Sequence, residues 1–111
     1  MEANPHHPVI DRPWEYVLGL LHYHMGLDGT EPYLDLELHR SNETRRLRFW
    51  SPRQLMIEEG FPSPTHGMEI LDVRHRGLEG IGVRVGDFEA SWGSITFWAR
   101  TVVDLDAEPT R

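Results

Sequence analysis

Apolar and polar residues alternate with period two through the middle of the chain. Tyr33-Leu-Asp-Leu-Glu-Leu-His39 sets Leu34, Leu36 and Leu38 on one face and Asp35, Glu37 and His39 on the other. That is the pattern of a strand buried on one side. A polar turn, Ser41-Asn42-Glu43-Thr44, precedes Arg45–Trp50, where Leu47 and Phe49 carry the apolar face onward. The pair predicts a β-hairpin with a basic rim. Ile81, Val83 and Val85 alternate with Gly82 and Arg84, and Ile95, Phe97, Ala99 and Val103 mark one face of a segment from Ser94 to Asp104. Trp14–Met25 and Met68–His75 are more continuously apolar, as expected of strands covered on both sides. Turns are expected at Gly26–Pro32, Gly60–Gly67, Gly77–Gly80, Gly86-Asp87 and Trp92-Gly93.

Residues 52–59 carry two patterns at once. Ser51 as N-cap, Pro52 at the first helical position, Gln54 as capping-box partner and Gly60 as a stop describe a short helix. Arg53 would then sit at the positive end of that helix and Glu58-Glu59 at the negative end, each opposing the helix dipole by about 0.3–1 kcal/mol. Leu55 and Ile57 also alternate with Gln54, Met56 and Glu58. The segment reads as a short strand, with a two-turn helix as the alternative. The chain as a whole predicts a mainly β fold: an antiparallel sandwich or small barrel of six to seven short strands with at most one short helix. Residues 1–13, with three prolines, read as a loose arm. Residues 14–105 form the single domain, and 106–111 a polar tail.

At 111 residues there is room for one domain. The chain has no cysteine, which excludes disulfides, thiolate metal sites and thiol nucleophiles. No apolar run approaches the roughly 20 residues that span a bilayer, and no secretory signal precedes Trp14. A cytoplasmic protein without membrane contact is expected. The net charge is −7, and all 11 basic residues are arginine, so lysine chemistry is excluded. Five arginines (Arg40, Arg45, Arg46, Arg48 and Arg53) fall between residues 40 and 53 beside one acid, Glu43. The remainder is more acidic still, which disfavours nucleic acid and attracts a basic protein partner.

Candidate chemistry is sparse. His22 and His24 are two apart, so on a strand both imidazoles point to one face and could hold one divalent transition metal. If the next strand pairs so that Tyr23 shares a face with Leu34 and Leu36, then Asp35 and Glu37 join them, with His66 as a more distant ligand. Asp28 and Glu31 are further acids within reach in the sequence. Arg45 and Arg46, with Trp50 nearby, form a candidate anion site. The glycines at 80, 82 and 86 lack the spacing and the following helix of a dinucleotide loop. No serine lies in a nucleophile motif, and the reading leans away from an enzyme.

Two resemblances follow from these residues. His22-Tyr23-His24 followed by acids and a distant histidine is similar to the metal motif of cupins, although the acids Asp28 and Glu31 depart from the cupin spacing. The second covers roughly residues 33–104. Leu47-Arg-Phe49, Leu55-Met-Ile57, Gly67-Met-Glu-Ile-Leu-Asp-Val73 and Ser94-Ile-Thr-Phe97, with Ala99 and Val102-Val103, occur in the order seen in a loose group of short uncharacterised bacterial proteins. Some of that group are immunity-type proteins that neutralise toxins. This second resemblance implies a mainly β fold and a protein-binding role without a cofactor. The alternative is a cupin-like metal protein or enzyme built on His22 and His24.

Overall fold

The computed structural model describes residues 6–61, 67–88 and 93–106. The fold is mainly β. Eight strands form two antiparallel four-stranded sheets that do not close into a barrel. The first sheet runs β1 (Val17–His24), β2 (Tyr33–Arg40), β3 (Glu43–Trp50) and β8 (Thr101–Asp104) in spatial order. The second runs β4 (Arg53–Ile57), β7 (Ile95–Ala99), β6 (Val83–Asp87) and β5 (Met68–Asp72). Helical structure among the described residues is limited to three-residue 3-10 turns at Pro13–Glu15, Leu27–Gly29 and Arg74–Arg76.

Eight strands appear where six or seven were expected because the segment read as one strand from Ser94 to Asp104 bends and changes sheet, giving β7 and β8. β3 passes into β4 through Ser51 and Pro52, with Ser51 in the left-handed region at φ 54°. Its partner ribbon, β7 into β8, turns at Arg100, whose N–H donates to the Trp50 carbonyl across the corner at 2.8 Å. Such a corner lets one ribbon serve both layers. It also shifts the inward parity. Ile95, Phe97 and Ala99 face the core as expected, but beyond Arg100 it is Val102 that is buried, and Val103, expected inside, is exposed. The ambiguous segment is a strand, β4, paired to β7 through Arg53↔Trp98 with an irregularity before Met56. Pairing with β7 supplies the backbone partners that a helix with opposed end charges would otherwise have to provide.

The core lies between the sheets. Leu34, Leu36, Leu38, Leu47 and Phe49 from the first meet Ile70, Val83, Val85, Phe97 and Ala99 from the second. Phe49 and Phe97 meet edge to face, with ring centroids 4.9 Å apart at 88°. Gly82 is set where a ribbon crosses: an added Cβ would lie 2.6 Å from the Arg100 carbonyl oxygen, so the position admits no side chain without backbone movement.

Three expectations change. From His6 onward, the arm read as loose is docked. His6 bridges Leu71, the His7 N–H donates to the Ile70 carbonyl at 2.8 Å, and Ile10 belongs to the core. Gly86-Asp87, expected as a turn, is the end of β6. β1 is not covered on both sides: it is an edge strand, and Val17 is 58% and Leu20 47% exposed. A run of apolar residues marks removal from water only when something packs on each face, and the outer face of β1, which carries Val17 and Leu20, is open to solvent among the described residues.

Candidate functional site

Register places His22 opposite Asp35 and His24 opposite Tyr33. β3 adds Arg48 opposite Asp35 and Trp50 opposite Tyr33. With period two, these six side chains share the outer face of the first sheet. The expected alignment of Tyr23 with Leu34 is present, so the two histidines do face the acids on β2.

Those acids have other partners. Asp35 accepts two hydrogen bonds from Arg48, at Nε and Nη2, each 2.9 Å. Glu37 lies 2.9 Å from His39 Nε2. His24 stacks on Tyr33 at 4.8 Å and 4°, His22 follows at 6.2 Å, and the Arg48 guanidinium sits 3.8 Å from the Tyr33 centroid. The Gly26 N–H donates to His24 Nδ1 at 3.1 Å. That bond places the imidazole proton on Nε2, so coordination through Nε2 would break it. Glu31 is held by Arg100 at 2.7 and 2.9 Å and by the Ser51 hydroxyl. Arg100 holds its carboxyl below the usual carboxylate range. His66 lies outside the described residues. Among those described, no group of three or more His, Asp or Glu is placed to hold a metal ion.

This arrangement gives an expected outcome for the metal question. Melting the protein with EDTA, then with zinc, manganese or ferrous iron, should leave the midpoint unchanged, and His22→Ala and His24→Ala should respond alike. A ligand at a hundredfold excess over its Kd would add about 2.7 kcal/mol, or more than ten degrees at roughly 4–8 °C per kcal/mol. A shift of that size, abolished by either substitution, would restore the metal reading.

Arg45 and Arg46 separate on folding. Arg46 is exposed and pairs with Asp106 through Nη2 at 2.7 Å. Arg45 lies opposite Leu38, a core residue, and therefore points inward. It donates to Asp104, to Glu43 at 3.2 Å and to the Val9 carbonyl at 3.2 Å. Glu43 also accepts from the buried Tyr16 hydroxyl at 2.7 Å and from Arg40 at 3.0 Å. The Tyr16 hydroxyl, then Arg40 and Arg45, draw its carboxyl pKa below the ordinary value. The two arginines thus do not converge on one anion: one belongs to a polar cap over the end of the core, the other to an exposed ion pair.

The edges of the sheets differ. β5 is covered by the arm at His6 and His7. β4 is five residues long with an irregular register, and β8 is four residues long. β1 has eight residues with no Asp, Glu, Lys, Arg or Pro, its register shifts between Leu18 and Leu20, and among the described residues its one strand partner is β2. Besides Val17 and Leu20, β1 exposes Tyr23, and the turn that follows it exposes Met25 and Leu27. Sequence reading missed this site, because no residue in β1 signals that the strand lies at an edge. Comparison of the chain with protein-family models, with curated proteins and with solved structures returned no match.

Proposed function

We propose that the chain is a protein-binding module, of the immunity-like or regulatory kind, that takes an extended basic segment of a partner protein along the outer edge of β1. The observation that carries this reading is the unprotected edge. Sheet edges offer unpaired N–H and C=O groups, and proteins guard them with charge, proline, short strands or a covering segment. β1 is irregular between Leu18 and Leu20, where Phe61 lies beside it, but from Leu20 to His24 it is regular and carries none of these guards among the described residues, whereas β5 is covered and β8 is short. Strand addition takes affinity from the backbone and specificity from alternate side chains. Here Val17, Leu20 and Tyr23 stand ready to meet apolar groups of the added strand. The net charge of −7 favours approach of a basic partner, and no lysine or arginine on β1 opposes its docking.

The test is affinity capture from the source cell with the wild type, with Leu20→Lys and with Val103→Lys on β8, followed by amide exchange on the purified pair. The expected result is a basic partner retained by the wild type and Val103→Lys, lost with Leu20→Lys, and slowing exchange along β1. Equal capture by both variants, or protection elsewhere than β1, would overturn the reading.

A further inference from the structure

Seven of the ten described arginines pair with carboxylates: Arg12, Arg40, Arg45, Arg46, Arg48, Arg74 and Arg100. The other three, Arg53, Arg76 and Arg84, make no ion pair among the described residues, and all three gather around Trp98. β7 presents Trp98 on the outer face of the second sheet. Arg53 of β4 is its register partner on one side, and Arg84 of β6 on the other. The Arg84 guanidinium lies 4.7 Å from the Trp98 ring centroid. Arg76, at the end of the 3-10 turn after β5, completes the group. In a chain of net charge −7 with acids in excess, three uncompensated cations in one place require an explanation.

A cavity of about 440 Å3 lies between Arg53, Arg76 and Trp98, with Arg84 outside its lining. Arg53, Gln54, Arg76, Leu78, Ile81 and Trp98 line it. Its volume is within the range of small-molecule sites. The walls divide by chemistry: Leu78, Ile81 and the indole form an apolar, flat side, and Arg53 and Arg76 form a cationic rim. Gln54 holds φ 54°, a left-handed backbone that an unbranched polar residue adopts only under constraint. The nearest acids do not neutralise the site. Glu69 on β5 attracts Arg84 but forms no ion pair with it, and Glu79 lies between Leu78 and Gly80 without a paired cation. Arg76 and Arg84 repel each other, and this repulsion joins burial in lowering the Arg84 pKa.

We infer that this cavity is a binding site for a small aromatic anion, its flat ring against Trp98 and its carboxylate or phosphate between Arg53 and Arg76. Guanidinium groups suit both head groups because their fork matches two oxygens at once. A polyphosphate chain is a poorer fit, since the net charge of −7 repels it. The site is on the second sheet and is independent of the β1 edge.

The test uses four probes in calorimetric titration: 1-naphthoate, AMP, and their uncharged counterparts 1-naphthalenemethanol and adenosine. The first two distinguish a carboxylate source from a phosphate source. One or both anions should bind one to one, the uncharged partners should bind at least about tenfold more weakly, and salt should weaken the anion alone. Arg53→Gln should reduce anion affinity by about tenfold or more, and Arg46→Gln, at an exposed pair elsewhere, should not. Arg76→Gln should also reduce affinity while leaving the melting temperature of the free protein equal or higher, since it removes a repulsion. This last readout separates a binding role from a structural one. Failure of both anions to bind at millimolar concentration, or binding indifferent to both Arg53→Gln and Arg76→Gln, would overturn the inference.

Discussion

Replacing Phe49 with Ala is expected to lower folding stability by about 3–5 kcal/mol. Phe49 is fully buried on β3 and meets Phe97 of β7 edge to face at 4.9 Å. The contact joins the two sheets, so truncation loses both the transfer of a ring from water and the aromatic geometry, and it leaves a cavity between layers that share a corner and cannot simply slide together. A domain of this size has roughly 5–15 kcal/mol in all, so the variant should unfold at markedly lower urea. Urea titration followed by circular dichroism measures it, with Met56→Ala on the exposed face of β4 as the control. A loss below about 1.5 kcal/mol would mean that the layers are held elsewhere.

Arg45→Ser is expected to cost about 1.5–3 kcal/mol, while Arg46→Ser should change stability by less than about 0.5 kcal/mol. The two neighbours alternate across β3. Arg45 turns to the inward face and holds Asp104, whose side chain is 8% exposed, so removing the guanidinium leaves a buried carboxylate without its cation. Arg46 and Asp106 are in water, where an ion pair contributes little. The same cap carries an acid limb. The Glu43 carboxyl is held below its ordinary value by the Tyr16 hydroxyl and by Arg40 and Arg45. A lowered folded-state value stabilises the protein above the unfolded carboxylate pKa, and that contribution is lost as pH falls through the folded one. Melting temperature should therefore fall on acidification below the ordinary carboxylate range, and less steeply in Glu43→Gln. Equal costs for Arg45→Ser and Arg46→Ser, with an unaltered acid limb in Glu43→Gln, would place Arg45 on a solvated rim after all.

Much of the strand pattern was legible along the chain. The alternation of Leu34, Leu36 and Leu38 with Asp35, Glu37 and His39 specifies β2, its buried face and its antiparallel neighbour β3, because side chains two apart must share a side. The same periodicity placed His22 and His24 with Asp35 on one surface. It could not say that Arg48 would take Asp35 first, because that competition depends on a residue from another strand.

Local sequence thus determined the mainly β class, most strand positions and the parity of each strand up to its first bend. Tertiary structure decided the rest. The corner at Arg100 exchanges Val103 for Val102 in the core and, by dividing one expected strand into β7 and β8, raises the strand number to eight. The order of strands makes β1 an edge despite its apolar run, and it brings Asp104 and Asp106 to Arg45 and Arg46, which the period of β3 already sets on opposite faces. The gathering of Arg53, Arg76 and Arg84 around Trp98 draws on residues up to 45 positions apart in sequence. Period and propensity act between near neighbours in the chain, whereas an edge, a corner or a pocket exists only once distant strands have been brought side by side.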